Sequence, residues 1–131
     1  MLVVTRHRLP LPGYADTAAA LDAARDTLAA LGERPGCLRG WIARAVDDPD
    51  LLVVAHEWVD AGSYRRALSA YDVKLHWPFL QTAVDEASAF EVLVSRTPDS
   101  VVEAPSAIAA DAGTVGLGSA AAPHVSTGEF G

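Results

Sequence analysis

Five consecutive apolar residues, Leu51 to Ala55, open the stretch LLVVAHEWVDAGSYRRALSAYDVKLHWPFL and place the strongest constraint on this chain. They do not alternate with polar residues, so the strand they predict, Leu51 to Trp58, has to be covered on both faces. One cover follows directly in sequence. Asp60 is placed to cap a helix in which Tyr64, Ala67, Leu68 and Tyr71 fall at i, i+3, i+4 and i+7, while Arg65, Arg66 and Ser69 point away. The same stretch holds two of the three Trp, two of the four His and two of the three Tyr. Aromatic and imidazole side chains gathered beside an apolar strand are what a pocket for a small apolar ligand requires.

The flanking sequence supplies the rest of a sheet. Leu2 to Arg8 alternates, with Val3, Thr5 and His7 on one side, and reads as strand one; the prolines of Leu9 to Gly13 end it. Asp16 is a plausible N-cap for a helix to Leu31, with Leu21, Ala24, Leu28 and Leu31 as its apolar stripe and Gly32 as its stop. Pro35-Gly36 is turn chemistry, Cys37 to Ala45 reads as strand two, and Asp47-Asp48-Pro49-Asp50 leads into strand three. Pro78 is disfavoured inside a helix, so a second short helix is expected to begin near it and to end near Glu86. Ser88 to Arg96 reads as strand four.

The order strand, helix, strand, strand, helices, strand is the α+β, ferredoxin-like β-α-β-β-α-β arrangement. It predicts strands one and three side by side and parallel, the helices on one face, and His7 and His56 as neighbours. The domain is expected over 1–96. From Thr97 to Gly131 there is no Lys or Arg, and Ala, Gly, Ser, Pro and Thr dominate. Without apolar periodicity to offset ordering entropy, 97–131 is expected to be a disordered tail, with at most a transient helix over Val101 to Ala112.

Composition narrows the function. A formal charge of −7, from 10 Lys+Arg against 17 Asp+Glu, argues against a nucleic-acid partner, because phosphate binding needs clustered cations. No apolar run reaches the roughly 18 residues of a membrane span, and the arginines follow the short apolar opening instead of preceding it as in a signal peptide. A cytoplasmic protein with no membrane partner is the expectation. The single cysteine, Cys37, forms no internal disulfide and no Cys-based zinc site, and His7, His56 and His76 lack short ligand spacing, so no metal site is expected.

In the Pro35-Gly36-Cys37 lead-in to strand two, the apolar strand ending in Glu57-Trp58 and the following helix Ala61 to Tyr71, the chain resembles the antibiotic biosynthesis monooxygenase (ABM) domain family of dimeric α+β barrels. The resemblance covers roughly Leu2 to Ser95. It implies a homodimer and, often, oxygen chemistry on an electron-rich aromatic with no cofactor, metal, flavin or haem. A haem-degrading branch is also similar at the N-terminus, with His7 where that branch has a catalytic Asn; its tryptophan falls on Ala67 here, and its haem-ligand histidine matches His76 only across a gap. The expected function is a monooxygenase acting on a small hydrophobic aromatic, with a non-catalytic binding or dimerisation module and a haem-binding relative as alternatives. In that reading His7 and His76 are the candidate catalytic bases. His56, Trp58, Tyr64, Tyr71 and Trp77 are the candidate substrate-binding residues, Tyr64 and Tyr71 because buried hydroxyls bring polar tips into an apolar chamber.

Overall fold

The computed structural model describes residues 1–105. In chain order the elements are β1 (Leu2–Arg8), α1 (Thr17–Gly32), β2 (Cys37–Arg44), β3 (Leu51–Trp58), α2 (Ala61–Ser69), α3 (Tyr71–Lys74), α4 (Trp77–Leu80), β4 (Ala89–Phe90), β5 (Val94–Thr97) and β6 (Ser100–Glu103). Both expected caps form: Asp16 Oδ1 accepts from Ala19 N at 2.8 Å and Asp60 Oδ1 from Ser63 N at 2.7 Å. Each satisfies one of the amides that a helix start leaves without a partner.

The main sheet has the order β2-β3-β1-β4, with every pairing antiparallel. The expected parallel pairing of the first and third strands is therefore corrected, and the reason is geometric. The crossover through α1 returns β2 in the direction of β1 but one strand-width away. The turn after Arg44, closed by Leu51 N to Asp48 O at 2.9 Å, then folds β3 back into the gap between them. A strand in that gap must run against both neighbours.

Alternation sorts the side chains cleanly. Val3, Thr5 and His7 of β1 and Leu52, Val54, His56 and Trp58 of β3 are buried on one face. Leu2, Val4, Val53 and Ala55 occupy the other face and are only half-buried. Val54 thus lies under the helices and Val53 on the open side. From α1, Ala20, Ala24, Thr27 and Leu31 are buried, a face turned slightly from the expected stripe because Leu21 and Leu28 sit at its margin.

Two core clusters result. Leu31, Trp58, Tyr64, Ala67, Leu68, Val73 and Leu80 pack at one end, with Trp77 half-buried against them. Leu9, Leu11, Ala20, Ala24, Leu52, Val54 and Phe79 pack at the other. The loop before β2 closes tightly on α2: Gly36 has φ +92°, and a Cβ there would stand 2.5 Å from Ser63 Cβ. Gly36→Ala is expected to destabilise the domain by at least about 1 kcal/mol from backbone conformation alone. A urea midpoint unchanged by this substitution would contradict that close approach.

Three expectations about the later chain are corrected. Strand four does not run from Ser88 to Arg96. Phe90 pairs with Leu2, the first residue of β1, so the chain beyond it has run past the end of its partner. The next residues pair among themselves instead, as the exposed β5–β6 hairpin. That hairpin carries regular structure past Thr97 to Glu103, with Val101 in a strand and not a helix; residues 106–131 lie outside the described residues. The helix containing Pro78 stops at Leu80, because the following segment instead lines the edge of β1, where Val84 N donates to Arg6 O at 2.7 Å and Val4 N to Ser88 O at 2.7 Å. Since β5 and β6 are exposed throughout, ending the chain after Leu93 should change thermal stability by less than about 0.5 kcal/mol. A melting curve displaced by many degrees would show that the hairpin docks.

Candidate functional site

The antiparallel register separates the two buried histidines. His7 lies opposite Leu52 and His56 opposite Val3, four residues apart along β3, which is about 13 Å of strand. His7 and His56 are not neighbours, and each organises its own end of the helix-covered face. Among the described residues no group of three or more His, Cys, Asp or Glu is placed to hold a metal ion.

At the first end, His7 is fully buried and stacks on Phe79 of α4, with ring centroids 4.5 Å apart at 23°. Tyr14 meets the same phenyl ring edge-on at 6.3 Å. Both imidazole nitrogens are engaged, Nε2 with Thr5 Oγ1 at 2.8 Å and Nδ1 with Thr82 Oγ1 at 2.9 Å. Thr82 donates its hydroxyl proton to Phe79 O at 2.6 Å, so towards His7 it must accept. That places the imidazole proton on Nδ1 and makes Nε2 the acceptor of the Thr5 hydroxyl. The Thr5 hydroxyl also lies 3.4 Å from Val54 O, but its one proton goes to the nearer Nε2, so the four groups form one chain of donation, Thr5 to His7 to Thr82 to the Phe79 carbonyl. Burial pushes the His7 pKa down to about 4, because a charged ring would lose its hydration there.

At the second end, His56 is 1% exposed and sits between Trp58 and Tyr64, with centroids 5.8 and 5.7 Å away. Trp58 and Tyr64 lie 5.5 Å apart, themselves buried. The Trp58 indole Nε1 donates to His56 Nδ1 at 2.6 Å. His56 Nε2 is buried with no hydrogen-bond partner. Burial also lowers the His56 pKa to about 4 and raises that of the Tyr64 hydroxyl, so both groups are held neutral. Trp77 closes the cluster from α4, its Nε1 donating to Leu68 O at 3.1 Å, and Lys74 Nζ stands 5.9 Å over the centroid of its ring.

Of the residues singled out in the sequence, the structure therefore brings His56, Trp58, Tyr64 and Trp77 together. It sets His7 apart with partners that the sequence did not suggest. His76 is half-buried at the start of α4, beside Trp77, with no side-chain hydrogen bond to the helix. Tyr71 does not join the aromatic stripe and is 74% exposed. Ala70 leaves the helical region at ψ 141°, so Tyr71 begins a new turn instead of continuing the α2 face. Thr82 and Phe79 were missed because their link to His7 spans more than 70 residues; only Thr5, two positions from His7 on the same face, carried a local signal.

Solved structures with this fold include SnoaB, a cofactor-independent oxygenase from Streptomyces nogalater, at 22% identity over 76% of this chain and 96% of that one, with a TM-score of 0.57. A protein of Methanosarcina mazei Go1 is similar at 17% identity over 67% of this chain and 84% of that one, TM-score 0.53. A Nitrosomonas europaea protein provisionally named an antibiotic biosynthesis monooxygenase follows at 17% identity, 68% and 92% coverage and TM-score 0.50. No protein-family model matches the chain, and neither does any curated protein. The chain has the antibiotic biosynthesis monooxygenase fold, an α+β domain with a ferredoxin-like antiparallel sheet. No helix among the described residues is long and apolar enough to cross a membrane.

Proposed function

We propose that this protein is a cofactor-independent monooxygenase acting on a small, flat, electron-rich aromatic of the quinol or polyketide type. The observation that carries the reading is the unpartnered Nε2–H of His56 among aromatic rings, in a fold shared with the oxygenase SnoaB. A phenolic or anthrone substrate becomes a reductant for O2 once it is deprotonated. One oxygen atom then replaces the two hydrogens of the reacting carbon as a carbonyl, and the other leaves with them as water. The four electrons that O2 accepts all come from the substrate.

His76, half-buried beside Trp77, is the candidate base. His7 suits that role less well, since both its nitrogens are occupied and its basicity is depressed; it holds Phe79 and Thr82 in place. His56 supplies a donor to the developing oxyanion, with Trp58, Tyr64 and Trp77 as its aromatic surroundings. Oxygen uptake with a panel of anthrones and hydroquinones is the test. The wild type should exceed buffer, and His76→Ala should slow it about 10²- to 10⁴-fold. Absence of uptake with every substrate would remove the enzymatic reading.

A non-catalytic binding or dimerisation module is the second reading. It is favoured by the mutual packing of Trp58 and Tyr64, which fill each other's space at 1% and 2% exposure. Either reading includes a homodimer through the open sheet face. That face presents Trp41, 44% exposed, along with the half-buried Leu2, Val4, Val53 and Ala55, an apolar patch that a two-fold copy would cover. Light scattering at micromolar concentration should give twice the 13.7 kDa chain mass, and Trp41→Glu should return it to one.

A further inference from the structure

The geometry points to His56 as the residue that selects the ligand of this site, donating from Nε2 to an acceptor-only oxygen, a quinone or ketone carbonyl, on a flat aromatic frame. This deepens the monooxygenase reading and rests on it. The argument begins with the neighbour that fixes the ring. An indole N–H can only donate, so the 2.6 Å bond from Trp58 Nε1 requires a bare lone pair on His56 Nδ1. In the neutral ring that burial enforces, the proton then has one place to be, which is Nε2. His56 cannot serve as a base through Nδ1, because Trp58 occupies it. Towards a ligand it offers a single donor and nothing else.

That donor is unused in the free protein. An unsatisfied buried N–H costs about 1–3 kcal/mol, and a chain that retains one beside Trp58 and Tyr64 has a group in reserve for something that arrives. The surroundings define what that is. Trp58 packs edge-on and Tyr64 tilted against the imidazole, with centroids 5.8 and 5.7 Å away, so a ligand that reaches the donor meets aromatic rings on either side, which favours an aromatic frame. The cluster reaches the surface through the half-buried Trp77. The printed neighbours of the imidazole are the rings of Trp58 and Tyr64, so a neutral carbonyl meets the donor without bringing a charge into their company. A hydrocarbon of the same shape would leave the N–H unpaired, and a ligand with only a donor at that edge would oppose it. Discrimination of this kind exceeds what apolar contact alone achieves, since the wrong ligand leaves a buried polar group unmatched.

The test uses the full chain labelled with ¹⁵N on histidine. Long-range ¹H–¹⁵N spectra at pH 7 should show His56 neutral and protonated at Nε2, and 1,4-naphthoquinone should shift that nitrogen while naphthalene leaves it unmoved. Tryptophan quenching should give naphthoquinone at least roughly tenfold tighter binding than naphthalene, the worth of one hydrogen bond of about 1.4 kcal/mol. His56→Phe should abolish that preference; if the variant does not fold, the spectra of the wild type decide alone. An Nδ1-protonated or cationic His56 overturns the assignment. Naphthoquinone that binds without moving Nε2 overturns it too, yet leaves the monooxygenase reading standing. Failure of both compounds to bind also defeats the assignment, while oxygen uptake with anthrones remains an independent measure of that reading.

Discussion

Lowering the pH from 7 to 4 is expected to remove several kcal/mol of stability, most of it above the pH at which ordinary carboxylates are half protonated. His7 and His56 each have a folded pKa of about 4 against 6.5 for a free imidazole. Between those values the unfolded chain binds protons that the folded chain refuses, so stability falls with falling pH. It is whole above pH 6.5, and the loss is complete near pH 4. A shift of about 2.5 units at about 1.4 kcal/mol per unit is roughly 3 kcal/mol for each histidine, an upper figure given relaxation on protonation. Two such groups are a large share of the ~5–15 kcal/mol that holds a domain together. Asp60, whose carboxyl is held below its usual range by the Ser63 amide, acts in the same direction but at lower pH. Urea midpoints measured at half-unit intervals should slope steeply from pH 6.5 to 4.5, and His7→Gln or His56→Gln should each flatten part of the slope. A midpoint constant over that interval would mean that neither imidazole is held neutral.

Trp58→Ala is expected to cost about 3–5 kcal/mol, a large share of the ~5–15 kcal/mol that holds a domain together. The indole is 1% exposed and packs on Tyr64, and its N–H is the partner of His56 Nδ1. Truncation opens a cavity at the centre of one core cluster and leaves the imidazole with no partner on either nitrogen. Trp58→Phe separates the two effects. It keeps most of the volume and removes only the donor, so about 1–2 kcal/mol is the expected loss. Chemical denaturation of the three proteins side by side measures both; equal losses for the two variants would assign the whole effect to the hydrogen bond.

Local chemistry made much of this fold legible. Asp16 and Asp60 announce their helices because a carboxylate ahead of an apolar stripe has few other uses, and alternation put Val3, Thr5 and His7 on one face before any pairing was known. Strand direction was misjudged because adjacency in a split β-α-β motif says nothing by itself about polarity; the crossover together with the hairpin decides it. The end of β4 depends on where β1 begins, a register fact that the local pattern of Ser88 to Arg96 does not contain. Tyr71 looked like a continuation of Tyr64 and Leu68 because helical spacing assumes an unbroken helix, and one extended residue at Ala70 suffices to turn it outward. His56, Trp58 and Tyr64 were recognisable as a group, since a strand end and the next helix are close in sequence. The threonines that fix the proton of His7 were not recognisable as a pair, since one of them is 75 residues away.

The four residues of α4 belong to both halves of the interior. Phe79 lies on His7, while Trp77 and Leu80 complete the cluster around Trp58. A peptide this short has no packing of its own to resist a twist, so its position is the compromise between two demands. A ligand or a repacked side chain that displaced one aromatic end would have to move the other or strain the turn between them. The ring on His7 and the wall beside Trp58 thus hang on one short turn.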